Sequence, residues 1–577
     1  MTFTGLMTFW LSLLLWSLGA TRSWRIRARP RVSLARQAAT VVDSGGFNLL
    51  FTDSLEECTG RRLEFDSGSK VPEWLWGRGS LLRNGPGRWT TEKRNYLHLF
   101  DGLAKLTKFK FSTDGSIEFS ASFIKSEWYN KTIAQNTFPP SVTTGPVEPP
   151  FNLLESIQSV LFSTQFDNVP VNVHQLGGKE GIWVGVTDAP VALEFDPISL
   201  ATKSRVVYPN PITSRGGQEL FSTAHPQTDE DGCTVNYILE LNVVKGNDAL
   251  IVRTDASLKR EVIGRVPVGP IGIPYVHDIS ITDNFAVLCI WPLRTEMGAL
   301  VTGKGFLPQL EWKPREQRET KIYLFDLHAA SSGGSLAPIS TFDAPALFAY
   351  HHINAFEREE SGKRFVVFDV SGYDSPAIAN GANGFAYLDN VKDPVRRQLQ
   401  ERDAKWFRFE LPVTRGMQQS VPGVVVPSEL LAVDEHGNEF TSELVTINPI
   451  FARKPYRYSY GFTGFADTGE KTTFLSWAIV KLDHKAASSV GSKSPREATV
   501  KIWKRPGCYP SEPIFVPRDN QSSIDEDDGV LLSQVLDSTR GESFLLVLNA
   551  KSMTELGRCY VGMACPVSFH GVWAEGV

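Results

Sequence analysis

From about residue 43 onward, apolar and β-branched residues come in short runs separated by Gly, Pro and Asp. Clear examples are residues 364–370, 473–482, 498–503, 529–536 and 544–548. Many short runs with turn residues between them predict an all-β chain, folded as a sandwich, a barrel or a propeller. No clean internal repeat is visible, so periodicity does not choose among the three. Residues 136–150, rich in Pro, Thr and Val, read as a loop. Apolar residues in 151–162 recur at helical intervals. Residues 297–312 mix Met, Leu, Val, Phe and Trp with Gly and Pro. Each of these two stretches reads either as a covered part of the core or as an apolar surface that meets a membrane. Residues 329–338 and 486–495 read as exposed loops.

The first 42 residues follow a different pattern. An apolar run at 9–18 is followed by Gly19-Ala20. It is short for a membrane span and ends in small residues, as a signal peptide does, although no basic segment precedes it. Arginines then stand at 22, 25, 27, 29, 31 and 36, with no acid before Asp43. That composition is transit-peptide-like. Together the two parts resemble the leader that directs proteins to complex plastids; the alternative is a plain secretory or endomembrane signal. The reading is therefore a leader over 1–42 and a folded domain over 43–577.

Composition narrows the function classes. Hydrophobic residues make up 42% and charged residues 21%, as in an ordinary globular protein. A net charge of −5 carries no basic footprint and argues against nucleic acid as a partner. Thirty-five Phe, 14 Trp and 14 Tyr leave room for an aromatic-lined cavity. The six cysteines form no CxxC pair and fit neither a zinc site nor a disulfide framework, so free thiols are expected.

Candidate chemistry centres on histidine, of which there are only ten. Two are adjacent in Tyr350-His351-His352-Ile353-Asn354. On a strand such neighbours point to opposite faces, so only one can face a given site. Three more sit at the edges of probable strands among apolar or small residues: His225 in Thr223-Ala224-His225-Pro226, His277 in Tyr275-Val276-His277-Asp278, and His570 in Phe569-His570-Gly571. Imidazole suits iron, copper, zinc and nickel. Structural zinc sites are normally rich in cysteine, and the facial iron triad needs a carboxylate ligand. Spacings this wide do not establish proximity, but a closed, radially built β fold permits it.

Several segments carry a resemblance to a known family. They are Gly79-Ser80-Leu81-Leu82-Arg83-Asn84-Gly85-Pro86-Gly87, Leu99-Phe100-Asp101-Gly102, the four histidine segments, Tyr509-Pro510-Ser511-Glu512-Pro513, and Glu526-Asp527-Asp528-Gly529. In this order the chain resembles the carotenoid cleavage oxygenase family, most closely its animal-type branch of β-carotene oxygenases and the retinal pigment epithelium isomerohydrolase. The resemblance implies a seven-bladed β-propeller with a helical and loop cap over the metal-bearing face. It implies Fe(II) on the axis, held by His225, His277, His351 and His570, with no catalytic side chain beyond the iron centre. It also implies carboxylates that orient these ligands: Glu443 for His351, Glu512 for His570, and Asp188 for His277. Asp188 stands where the family has glutamate, one methylene longer, so its hydrogen bond is expected to need a backbone shift or a water. Phe123, Thr187, Tyr350, Tyr373 and Phe569 are implied as the lining of a substrate tunnel.

The function implied is oxidative cleavage of a carotenoid or apocarotenoid by dioxygen, with substrate taken from a membrane through peripheral contact. Glu148-Pro149-Pro150-Phe151 lacks the cysteine that animal relatives carry there, so any membrane contact rests on apolar side chains. The competing readings are cleavage of a stilbene-type olefin, isomerohydrolysis of a retinyl ester, and a propeller that binds a carotenoid without catalysis.

Overall fold

The computed structural model describes residues 46–577 except 153, 157–165, 243, 270–271, 297–304, 313–318, 329–334, 376–385, 394–403, 414–421, 466–475, 490–497 and 519–524. The leader over 1–42 therefore lies outside the described residues. Among the described residues, seven sheets of four or more strands follow one another along the chain.

Sheet 1 holds Cys58–Arg62, Gly79–Arg88, Leu103–Phe111 and Ile117–Phe123. Sheet 2 runs from Asn172–Leu176 to Thr202–Arg205, and sheet 3 from Gln218–Ser222 to Arg260–Pro267. Sheet 4 runs from Ser280–Ile281 to Ser340–Pro345, with Gly423–Val424 added in parallel at its edge. Sheet 5 runs from Phe348–Glu360 to Ser428–Leu430, sheet 6 from Glu443–Thr446 to Val500–Lys504, and sheet 7 from Cys508–Pro510 to Glu555–Tyr560. Two late pairings close the ring. The C-terminal strand His570–Glu575 joins sheet 1 beside Gly79–Arg88, and Glu64–Phe65 joins sheet 7 beside Glu555–Tyr560. This is a seven-bladed β-propeller, and its closure leaves only the short outer edges of each sheet open.

Burial follows the sequence pattern. The continuous apolar run within Gly529–Asp537 is buried at every position, because neighbouring blades cover both of its faces. The outer strand Thr202–Arg205 is mostly exposed and carries Lys203 and Arg205, charges that discourage edge-to-edge pairing.

Short elements outside the blades form a cap. They include the one-turn helices Phe47–Phe51, Leu99–Asp101, Leu307–Gln309 and Leu388–Lys392, and the α-helix Glu127–Gln135. The α-helix was not legible as one; Ser126 caps it by accepting the Tyr129 N–H, and Trp128 and Thr132 are buried beneath it. An aromatic-rich core joins the cap to the ring, with Phe47, Phe51, Trp89, Tyr96, Trp128, Trp477 and Phe569 among its members.

The loop expected over 486–495 is corrected in its first part. His484–Ser489 is a helix, and Ala487 packs into the core with Leu430 and Leu482. The alanines there favour helix once one face can be buried. Of the helical stretch expected at 151–162, residues 154–156 are helical and most of the rest lies outside the described residues. Residues 297–304 and 329–334 also lie outside them. All six cysteines are free thiols, four of them buried. Among the described residues no helix is long and apolar enough to cross a membrane.

Candidate metal centre

Each blade sends one polar side chain toward the axis. His570 opens the closing strand of sheet 1, Asp188 follows strand Ile182–Val186 of sheet 2, and His225 follows Gln218–Ser222 of sheet 3. His277 precedes the first strand of sheet 4, His351 lies in the first strand of sheet 5, Glu443 opens sheet 6, and Glu512 stands between two strands of sheet 7.

Local irregularities aim these residues. The register of Phe348–Glu360 against Lys363–Tyr373 shifts twice, between Ala349 and His351 and between His352 and Asn354. Such β-bulges bend a strand and redirect its side chains. His351 turns to Glu443 and the axis. His352 turns into sheet 4, where its Nδ1 meets Ser280 Oγ at 2.7 Å and its N–H donates to Asp278. The register also shifts between Glu443 and Thr446, and Leu444 takes a φ of 52°, in the left-handed region.

Nitrogen donors of His225, His277 and His351 lie within 4.8 Å of one another. The Nε2 atoms of His225 and His277 are 3.2 Å apart. The His570 ring is 4.4 Å from that of His225 and 5.0 Å from that of His351, centre to centre, and completes the ring of imidazoles.

Three carboxylates hold the opposite nitrogens. Asp188 Oδ2 is 2.8 Å from His277 Nδ1, Glu443 Oε2 is 2.5 Å from His351 Nδ1, and Glu512 Oε1 is 2.9 Å from His570 Nδ1. An acceptor at Nδ1 fixes the tautomer and turns Nε2 toward the axis. Among the described residues His225 has no carboxylate partner. Nε2 of both His351 and His352 is buried without a hydrogen-bond partner, but only His351 belongs to the cluster of converging donors. Four imidazoles offering only nitrogen suit a first-row transition metal such as iron.

Asp188 reaches His277 directly, with no bridging group between them. Its turn is tied to the strand leading to His225, because the Ser222 N–H donates to the Asp188 carbonyl at 2.8 Å.

Sequence reasoning missed the supports of these carboxylates. The Tyr275 hydroxyl donates to Asp188 Oδ2 at 3.0 Å, and the Tyr373 hydroxyl donates to Glu443 Oε1 at 2.5 Å. Tyr275 stands two residues before His277, on the same side of an extended segment, and that spacing was a usable signal. Arg83 is fully buried and donates to Ser568 Oγ at 2.7 Å, to the Glu512 carbonyl at 2.9 Å and to the Phe569 carbonyl at 3.3 Å. It ties the His570 strand to Glu512. Burial pushes its guanidinium down to about 10, which leaves it charged at neutral pH.

Burial likewise pushes His225 well below the usual imidazole range, and the neighbouring His570, His277 and His351 add to the effect. His570 is lowered by burial, against the raising effect of Glu512. Neutral imidazole is the form that binds metal.

A mostly apolar cavity opens onto His277, His351 and His570. Thr187, Tyr350, Tyr373 and Phe569 line it as expected from the resemblance, and Phe51, Phe100, Phe306, Phe462 and Trp477 line it as well. Phe123 does not. It ends its strand under the helix Glu127–Gln135, and its ring packs 5.4 Å from Tyr129, with the Lys105 ammonium 5.0 Å from its centre.

A closed propeller with converging histidines and the carboxylates that hold them defines a class of protein by fold and site. The chain belongs to the carotenoid cleavage oxygenases: the family model described as retinal pigment epithelial membrane protein matches residues 51–575. It is 28% identical to a mitochondrial carotenoid-cleaving dioxygenase of Macaca fascicularis and 26% identical to a human beta,beta-carotene 15,15'-dioxygenase; each match covers 87% of this chain and 90% of the relative. It is 27% identical to the chloroplastic carotenoid cleavage dioxygenase 8 of Arabidopsis thaliana, over 87% of this chain and 82% of that one. Among solved structures it is similar to cobalt-substituted Synechocystis ACO, with a TM-score of 0.71 at 21% identity, covering 92% of this chain and 99% of that one.

Proposed function

We propose that the protein is a non-haem iron(II) dioxygenase that cleaves a double bond of a carotenoid or apocarotenoid into two carbonyl products. One observation carries this reading: histidine nitrogens converge, with carboxylates at Nδ1 of His277, His351 and His570, beside an aromatic, mostly apolar cavity. Iron(II) bound there supplies a redox-active centre for dioxygen. His225, His277, His351 and His570 would hold it as neutral donors, and Asp188, Glu443 and Glu512 keep three of those rings in place. Both oxygen atoms of O₂ end in the two carbonyl groups, so no organic cosubstrate is required. Aromatic faces such as Tyr350 and Phe569 pack along an apolar polyene and stabilise positive charge developing on it. The apolar walls keep bulk water from the reacting bond.

Such a substrate is drawn from a membrane. Leu154 and Ile133, 72% and 43% exposed on cap segments, support a peripheral contact built on apolar side chains. The composition of residues 1–42 supports a plastid destination.

Aerobic incubation of the iron-loaded protein with a carotenoid panel tests the reading. Aldehyde or ketone products with O₂ uptake support it. An isomerised alcohol without O₂ uptake, cleavage confined to stilbenes, or no product from any carotenoid would overturn it.

A further inference from the structure

Among the described residues, Phe51 is the cavity-lining residue that comes from the segment preceding the first blade. It ends the one-turn helix Phe47–Phe51, which is anchored from several sides. The Val567 N–H donates to the Leu50 carbonyl at 2.9 Å, and the Ser54 N–H donates to the Gly87 carbonyl at 2.9 Å. Phe47 packs edge-on to Trp477 and Tyr509, with ring centres 5.5 and 4.6 Å away. Phe462 packs on Trp477 at 4.7 Å.

This cluster is sealed from solvent: Phe47 and Phe51 are 1% exposed, Trp477 5% and Phe462 9%. Phe51, Phe462 and Trp477 line the cavity on the side of sheets 6 and 7, with Phe47 packed behind Trp477, whereas Val171, Tyr275 and Phe306 line it on the side of sheets 2 to 4. The histidines lie between the two groups. A polyene is stiff, so the position of a wall at one end decides which double bond lies beside them.

We propose that the N-terminal turn is the end stop of the substrate cavity, and that Phe51 is a specificity-determining residue that sets the length of the polyene arm admitted toward sheet 6. The inference rests on the polyene reading above and adds which residue fixes the register.

The test uses the full-length protein, all-trans apocarotenals of graded length, and the variants Phe51→Ala, Phe51→Leu and Phe47→Leu. Binding to the metal-free protein is read by quenching of tryptophan fluorescence, and products of the iron-loaded protein are read by mass. Removing the Phe51 ring should shift the preference toward longer chains, changing the ratio of long-chain to short-chain Kd about tenfold, the usual worth of one or two methylenes in an apolar pocket. The cleaved bond should move with it. Phe51→Leu should shift less and covers the case in which the alanine variant fails to fold. Phe47→Leu, equally buried but behind the wall, should leave the length preference unchanged. An identical length profile in wild type and both Phe51 variants would overturn the proposal, as would an equal shift in Phe47→Leu. Binding of the panel without cleavage defeats the dioxygenase reading alone, and the length profile then decides this one. Binding of no member defeats both.

Discussion

Asp188 reaches His277 Nδ1 at 2.8 Å, although it is one methylene shorter than the glutamates that orient His351 and His570. The Ser222 N–H pins its turn, Tyr275 donates to the same Oδ2 that meets His277, and the Ala224 N–H donates to Oδ1. Removing such an outer partner typically costs 10–100-fold in metal affinity. Asp188→Ala should therefore bind iron about 10–100-fold more weakly. Asp188→Asn keeps the shape and one acceptor and should lose less. Competition with a chelator of known affinity measures both.

Tyr373 donates to Glu443 at 2.5 Å in a partly buried pair. A hydrogen bond to a charged group is worth about 1.5–3 kcal/mol. Tyr373→Phe should destabilise the metal-free protein by about that amount in urea unfolding and weaken metal binding by loosening Glu443. An unchanged unfolding midpoint would show that the hydroxyl carries no such load.

Burial pushes His98 and His352 down to about 3, and His174 and His484 down to about 4. Unfolded, each returns to about 6.5. Below that pH the unfolded chain takes up protons that the folded chain refuses. Stability is therefore fully present above about pH 6.5 and falls as pH drops toward 4, by about 1.4 kcal/mol per pH unit for each such histidine. His98 Nδ1 accepts the Phe100 N–H at 3.3 Å, a role that asparagine can keep. His98→Asn should fold and show a shallower acid slope by one proton. Urea unfolding at a series of pH values checks this.

The all-β class was legible in short apolar runs, and the four histidines in their shared flanking pattern. Their convergence was not, because ring closure depends on pairings such as His570 opposite Asn84, between the two ends of the chain. Strand alternation separates His351 from His352, but the bulges that set their directions have no mark in the composition of Tyr350-His351-His352-Ile353. Phe123 was placed in the cavity by resemblance; its position at a strand end beneath a cap helix turns it elsewhere. Phe51 was out of reach for the opposite reason, since its turn is placed by Phe47 against Trp477 and by Leu50 against Val567, far along the chain.

The central claim is a metal centre built from His225, His277, His351 and His570. Iron content after anaerobic reconstitution tests it most directly, in wild type, His351→Ala and His352→Ala. The expected result is about one iron per chain in wild type and in His352→Ala, the latter less stable because its contact with Ser280 is lost, and none in His351→Ala. Equal iron in the two variants, whether kept or lost, would contradict the assignment.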